Sequence, residues 1–165
     1  MIFPRRQLGF TLIEVAVVML IIVIILGMVT VNLGPDRDTA VRDEAHRLAL
    51  LLKTAQQEAI LQGKIYAVTV EREGYHFLTL DENRKFRPIG HDGMFRARTM
   101  PPDIIVSSVF IEGQEDIEKP RLLILPTGEL PPFTITFKRG DSRWQVEGRS
   151  TGKITAQSLL IPEKA

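Results

Sequence analysis

The chain has 165 residues, no cysteine, and 21 Lys and Arg against 20 Asp and Glu. That length accommodates one ordinary domain plus a short extra segment. The missing cysteines exclude a disulfide framework and thiolate chemistry, and the balanced charge gives no broad basic footprint for nucleic acid. Residues 1–8 form a short leader carrying Arg5 and Arg6. From Phe10 to Leu33 the sequence is predominantly apolar, and its only ionisable side chain is Glu14. A run of that length can cross a hydrocarbon layer about 30 Å thick. The basic leader on one side, with Asp36, Arg37 and Asp38 on the other, predicts a cytoplasmic N-terminus and a C-terminal part carried across the membrane. A cleaved secretory signal is the competing reading. Its apolar core usually has about 7–15 residues and ends in a small-residue cleavage site, and neither property is found here. Glu14 needs an account of its own, because a carboxylate within an apolar span costs about 2–3 kcal/mol. Proximity to interfacial water would serve for a lone acid. It leaves unexplained the Gly9-Phe10 junction five residues earlier, directly behind the basic leader.

Gly34-Pro35 interrupts the pattern, as a helix end and linker or as a kink between two helical halves. Asp36 or Asp38 can cap a new start. Val41, Ala45, Leu48, Leu52, Ala55 and Ala59 then recur at alternating spacings of four and three, an amphipathic stripe that Leu51 widens. Gly63 is a natural stop. Helix from Phe10 to Gln62 would extend roughly 80 Å. The stripe is short and alanine-rich, which favours packing on the domain's own sheet over a coiled coil.

From Lys64 the period changes to alternation. Tyr66, Val68 and Val70 lead to a turn at Glu73-Gly74 and on into Tyr75–Leu80, which reads as a hairpin. Residues 81–103 are loop-like, with room for a short strand near Phe95–Thr99. Ile104–Ile111 is a β-branched strand, Glu112–Glu118 a solvated acidic loop, and Leu122–Leu125 an apolar run suited to a central strand. Phe133–Lys138, Trp144–Glu147 and Ile154–Ile161 complete the series, separated by turns at Arg139-Gly140-Asp141 and Ser150-Thr151-Gly152. Such spacing predicts an antiparallel β assembly.

Candidate chemistry is sparse. His46, His76 and His91 follow no metal-ligand spacing. Asp81, Glu82 and Asn83 offer oxygen ligands but lack the full calcium-loop pattern. No phosphate loop, nucleophile elbow or H-E-x-x-H is present. Arg84, Lys85, Arg87, Arg96 and Arg98 gather in one region, where a solubilising role is favoured over nucleic-acid binding. No catalytic residue, cofactor or metal is expected.

Gly9-Phe10-Thr11-Leu12-Ile13-Glu14, behind a basic leader and ahead of an apolar run, resembles the class III signal of type IV pilins and type II secretion pseudopilins. Further on, Leu125-Pro126-Thr127-Gly128-Glu129-Leu130-Pro131-Pro132-Phe133, then Trp144 and Thr151-Gly152-Lys153-Ile154, resemble the H-type minor pseudopilins and related minor pilins. The middle, residues 64–120, carries little of this likeness. The resemblance implies prepilin peptidase cleavage between Gly9 and Phe10, N-methylation of Phe10, and pairing of Glu14 with a neighbouring subunit's terminal amine. It implies an α+β, pilin-like fold: a long N-terminal helix with a transmembrane half and an amphipathic half, packed on an antiparallel β-rich domain. The expected organisation is a leader at 1–9, a transmembrane and filament-shaft helix at 10–33, an amphipathic half at 34–63, and a periplasmic domain at 64–165. The implied partners are prepilin peptidase, major and minor pseudopilins in a filament, the inner membrane, and either secreted cargo or the outer-membrane secretin. The implied function is that of a minor pseudopilin whose filament drives protein export. A type IV minor pilin that primes pili or takes up DNA is the alternative. A single-span inner-membrane enzyme is a third class, disfavoured by the lack of a catalytic constellation.

Overall fold

A computed structural model describes residues 12–30, 37–89, 93–115 and 120–159, with the backbone alone described at 25–30 and 37. The chain divides into two compact units, residues 1–35 and 36–165.

The first unit contains α1, Leu12–Thr30. It is one uninterrupted helix of 19 residues in the middle of the expected 10–33 segment, and the remainder of that segment lies outside the described residues. Its rise amounts to about 28 Å. Among the described residues no helix is long and apolar enough on its own to cross a membrane. The apolar sequence continues past α1 to Leu33, so the expected span rests on the sequence of residues 10–33 taken whole. The Gly34-Pro35 interruption also lies outside the described residues.

The second unit begins with α2, Arg37–Gln62. The stripe read from the sequence is its buried face: Val41, Ala45, Leu48, Leu52, Ala55 and Ala59 are all fully enclosed. Gly63 ends the helix with a positive φ of 62°, and Lys64 N returns to Ala59 O at 3.2 Å. A residue without Cβ adopts that left-handed cap at little cost. The enclosed face packs mainly on three strands, β8, Phe133–Arg139, β9, Ser142–Gly148, and β10, Ile154–Ser158.

Two antiparallel sheets make up the β part. The first has the order β3-β2-β1-β7, built from β1, Tyr66–Glu71, β2, Gly74–Leu80, β3, Phe86–Pro88, and β7, Arg121–Ile124. A two-residue strand β4, Arg98–Thr99, joins the other end of β2. The second sheet has the order β10-β9-β8-β5-β6, with β5, Ile105–Ile111, and β6, Gln114–Glu115. Leu48, Leu52, Tyr75, Phe77, Leu122, Ile124, Ile135, Phe137, Val146 and Ile154 belong to one core fed by α2 and both sheets.

Several expectations change in detail. The β1–β2 hairpin turns at Arg72-Glu73, and Gly74 is already in β2, opposite Glu71. A Cβ on Gly74 would fall on the Arg98 carbonyl oxygen, so this glycine serves the close approach of β4. Residues 81–103 contain β3 and β4, both hung on one edge of β2. Phe95 precedes β4, and its ring packs at a tilt against that of Phe77, centroids 5.0 Å apart. Part of the expected acidic loop forms a small hairpin, with β6 against the end of β5. The apolar run Leu122–Leu125 predicts a central strand, yet among the described residues β7 lies at the edge of its sheet, paired with β1 alone. Its burial alternates: Leu122 and Ile124 face the core, while Leu123 and Leu125 remain over a third exposed. An apolar run need not be enclosed on both faces. β10 closes at Ser158, and its expected extension to Ile161 reaches beyond the described residues.

Candidate assembly surfaces

Glu14 is in the first turn of α1, where the partial positive charge of the helix start favours an acid. Around it every side chain from Leu12 to Ile24 is exposed, including Leu12 at 89% and Ile13 at 69%. A helix that is apolar on all sides has no water-facing side and requires a nonaqueous or protein environment. Gly9 and Phe10, the expected cleavage and methylation positions, lie outside the described residues.

In the second unit, three polar clamps hold α2 to the sheets. At its start, Asp38 Oδ1 accepts hydrogen bonds from Ser142 Oγ at 2.7 Å and Trp144 Nε1 at 2.9 Å, both on β9. The Trp144 bond, then the Ser142 bond, hold the Asp38 carboxyl below its ordinary range. His46, about two turns further on, packs against Trp144 with ring centroids 5.4 Å apart and planes tilted by 54°. Between Asp38 and His46, Glu44 is a buried acid. Its Oε1 accepts from Tyr75 Oη at 2.9 Å and its Oε2 from Arg47 Nη1 at 2.6 Å. Burial, and then the Glu44 charge, push the Tyr75 phenol upward, so it remains the donor.

The third clamp explains the segment 125–133. Gly128 N bonds Leu125 O at 2.9 Å, and Leu125 N bonds Glu129 O at 2.9 Å, forming a tight turn in which Gly128 takes φ +82°. Gln56 Nε2 of α2 donates to Gly128 O at 2.6 Å, and a Cβ on Gly128 would lie 2.8 Å from Ile60 Cδ1. The turn at Ser150-Thr151-Gly152 repeats this arrangement. Gly152 N bonds Arg149 O at 2.8 Å, Gly152 takes φ +81°, and a Cβ there would lie 2.8 Å from Gln56 Nε2. Phe133 then enters β8 buried against Gly148, its partner on β9. The family-like residues therefore form a scaffold, two glycine turns seated under the last turns of α2.

The sequence reading missed Glu44, Gln56 and Tyr75 as a polar framework. A signal existed for Glu44, since Glu44, Leu48, Leu51 and Ala55 keep the four-three spacing of the buried face. Of the histidines, His46 is on α2 and His76 on β2, and His91 lies outside the described residues. Among the described residues no three His, Asp or Glu gather as a metal cluster. Asp81 instead accepts from Arg87 Nε at 2.6 Å and from Lys85 N at 2.8 Å, which together lower its carboxyl's pKa.

An N-terminal apolar helix followed in the chain by a helix-plus-antiparallel-sheet domain defines a pilin-like α+β protein. The fold match agrees: a crystal structure of the minor pseudopilin EPSH from the type II secretion system of Vibrio cholerae aligns with TM-score 0.66 at 18% identity, covering 74% of this chain and 98% of that one. Residues 44–152 match the family Type II transport protein GspH, and residues 4–30 match the prokaryotic N-terminal methylation motif. The chain is 32% identical to type II secretion system protein H of Pseudomonas aeruginosa, covering 96% of this chain and 95% of the relative. It is 29% identical to the Aeromonas hydrophila protein of the same name, over 83% and 84%. The chain belongs to the type II transport protein GspH family, the H-type minor pseudopilins. Its function is that of a type II secretion subunit, in a family of structural components.

Proposed function

We propose that this chain is a single-pass inner-membrane prepilin, cut after Gly9, methylated at Phe10 and drawn into a periplasmic pseudopilus. Residues 10–33 serve first as the membrane anchor and then as filament shaft. The all-round apolar surface of α1 supports this reading, because the same surface suits lipid and the packed centre of a filament. Glu14 neutralises the terminal amine of an adjacent subunit. In a low-dielectric shaft an acid and an amine are tolerated when paired, so the pair fixes axial register. The domain after Pro35 faces the periplasm and meets other pseudopilins, with secreted cargo and the outer-membrane secretin as further partners. The work is assembly, and no catalytic step is assigned. Secretion is favoured over a pilus or DNA-uptake role by the type II secretion names of its relatives.

The observation that carries the reading is the methylation motif over residues 4–30 leading into an apolar helix. N-terminal sequencing and mass measurement of membrane-extracted protein test it. The expected mature chain starts at Phe10 and is one methyl group heavier than its sequence. A start at any other residue would overturn the processing step.

A further inference from the structure

Two of the basic residues of positions 84–98, Arg87 and Arg96, line one cavity. β3 and β4 hang on the same edge of β2, which brings the segments around Arg87 and Arg96 together beside His76. They border a cavity of about 520 Å³ whose remaining walls include Phe77, Ile89 and Ala97. Among the described residues no carboxylate lines it. Asp81, the nearby acid, holds only Arg87 Nε, leaving the rest of that guanidinium fork uncommitted. Arg96 and His76 have no side-chain hydrogen bond or ion pair with any described residue. The two guanidinium groups of Arg87 and Arg96 on one concavity repel each other, and an anion entering it relieves that repulsion. An arginine fork matches a carboxylate in a bidentate way. The apolar walls suit the neighbouring side chain of whatever presents that carboxylate. A bilayer surface presents phosphates in a plane and fits a concave, part-apolar slot poorly.

We propose that this cavity docks an acidic side chain flanked by an apolar residue on a partner protein subunit, with Arg87 and Arg96 taking the carboxylate. The proposal rests on the reading that the chain assembles with other subunits, but its test does not need a filament. Full-length protein in neutral detergent is titrated with the terminally blocked peptide Leu-Glu-Glu-Leu and with its neutral counterpart Leu-Gln-Gln-Leu. The acidic peptide is expected to bind in a salt-sensitive manner and the neutral one to bind at least about tenfold more weakly. Arg96→Gln should weaken the acidic peptide about tenfold. Ala97→Trp, which fills the cavity from an exposed position, should abolish binding without shifting the unfolding midpoint. Equal binding of the two peptides, or no response to either variant, would overturn the proposal. So would a preference of the same site for phosphatidylglycerol vesicles or a short oligothymidylate over the peptide. A chain that fails to enter filaments yet passes this test would sink the assembly reading alone.

Discussion

A side chain at residue 148 would fall within the Phe133 ring, directly across the β8–β9 ladder. Gly148→Ala therefore forces either the ring or the strand to move, and overpacking of this kind costs about 1–3 kcal/mol. The loss should appear as a lower denaturant midpoint with unchanged slope. Phe133→Leu in the same chain should recover part of it, with a coupling of about 0.5–3 kcal/mol in the double-mutant cycle. Strict additivity would mean that the two residues do not compete for space. Asp38 permits a second residue-level test, because Trp144 is the chain's single tryptophan and donates to it. The Asp38 carboxyl is held below its ordinary value in the folded state. The contribution of such a group is present above the unfolded pKa and is lost as pH falls through the lower, folded one. The difference in Trp144 emission between the wild type and Asp38→Asn should then hold steady from neutrality to about pH 4 and change only in stronger acid. Asp38→Asn keeps an acceptor but cannot titrate, so an acid transition that persists in that variant would separate Trp144 from Asp38.

α2 shows which parts of an element are visible in sequence. Its stripe, its stop at Gly63 and its attachment to the sheet are all readable, because period and caps are local properties. The Glu44–Tyr75 bond is not, since it joins residues 31 positions apart. A buried carboxylate on the apolar face can be suspected from spacing, but its donor is chosen by the register of β2. Removing that donor is informative. Tyr75→Phe leaves Glu44 Oε1 without its hydroxyl partner, and hydrogen bonds to charged groups are worth about 1.5–3 kcal/mol. Chemical denaturation should report a loss in that range, and a change under about 0.5 kcal/mol would mean that Arg47 alone satisfies the acid. The phenol is pushed upward by burial, so this contribution is present below its unfolded pKa and fades only as pH rises through the folded value. Strand order is hidden for the same reason. A continuous apolar run such as Leu122-Leu123-Ile124 is what a central strand and a half-covered edge strand share. Only the pairing with β1 alone distinguishes them. The turn 125–133 is legible as a turn, but not as the seat of Gln56, because that contact closes over 72 residues.

On the scale of the whole molecule, the two units answer to different solvents. The second unit encloses most of its large apolar residues in a core shared by α2 and both sheets, whereas α1 displays those from Leu12 to Ile24 on every side. Under the proposed function the chain is stored in one environment and used in another, and Glu14 is the residue for which the two environments differ most. In the bilayer it lies near the start of the apolar run, within reach of the interface. In a filament it would be enclosed by neighbouring shafts, where a carboxylate requires a cation. Glu14→Ala separates these situations. The substitution leaves Gly9-Phe10 intact and makes the span more apolar, so membrane insertion and cleavage should proceed as in the wild type. On the proposed pairing, what disappears is the partner for a neighbour's terminal amine, which would then be enclosed alone. Loss of one member of a buried pair costs about 3–5 kcal/mol, and even about 3 kcal/mol lowers occupancy of the joint more than a hundredfold. The expected result is a processed, membrane-resident protein with normal abundance, absent from sheared or crosslinked pseudopili, and a matching fall in secretion. Glu14→Asp keeps the charge on a shorter arm and should restore part of both activities. If Glu14→Ala secretes at the wild-type level while carrying a mature N-terminus at residue 10, the acid has no pairing role, and the register of the shaft must come from apolar packing alone.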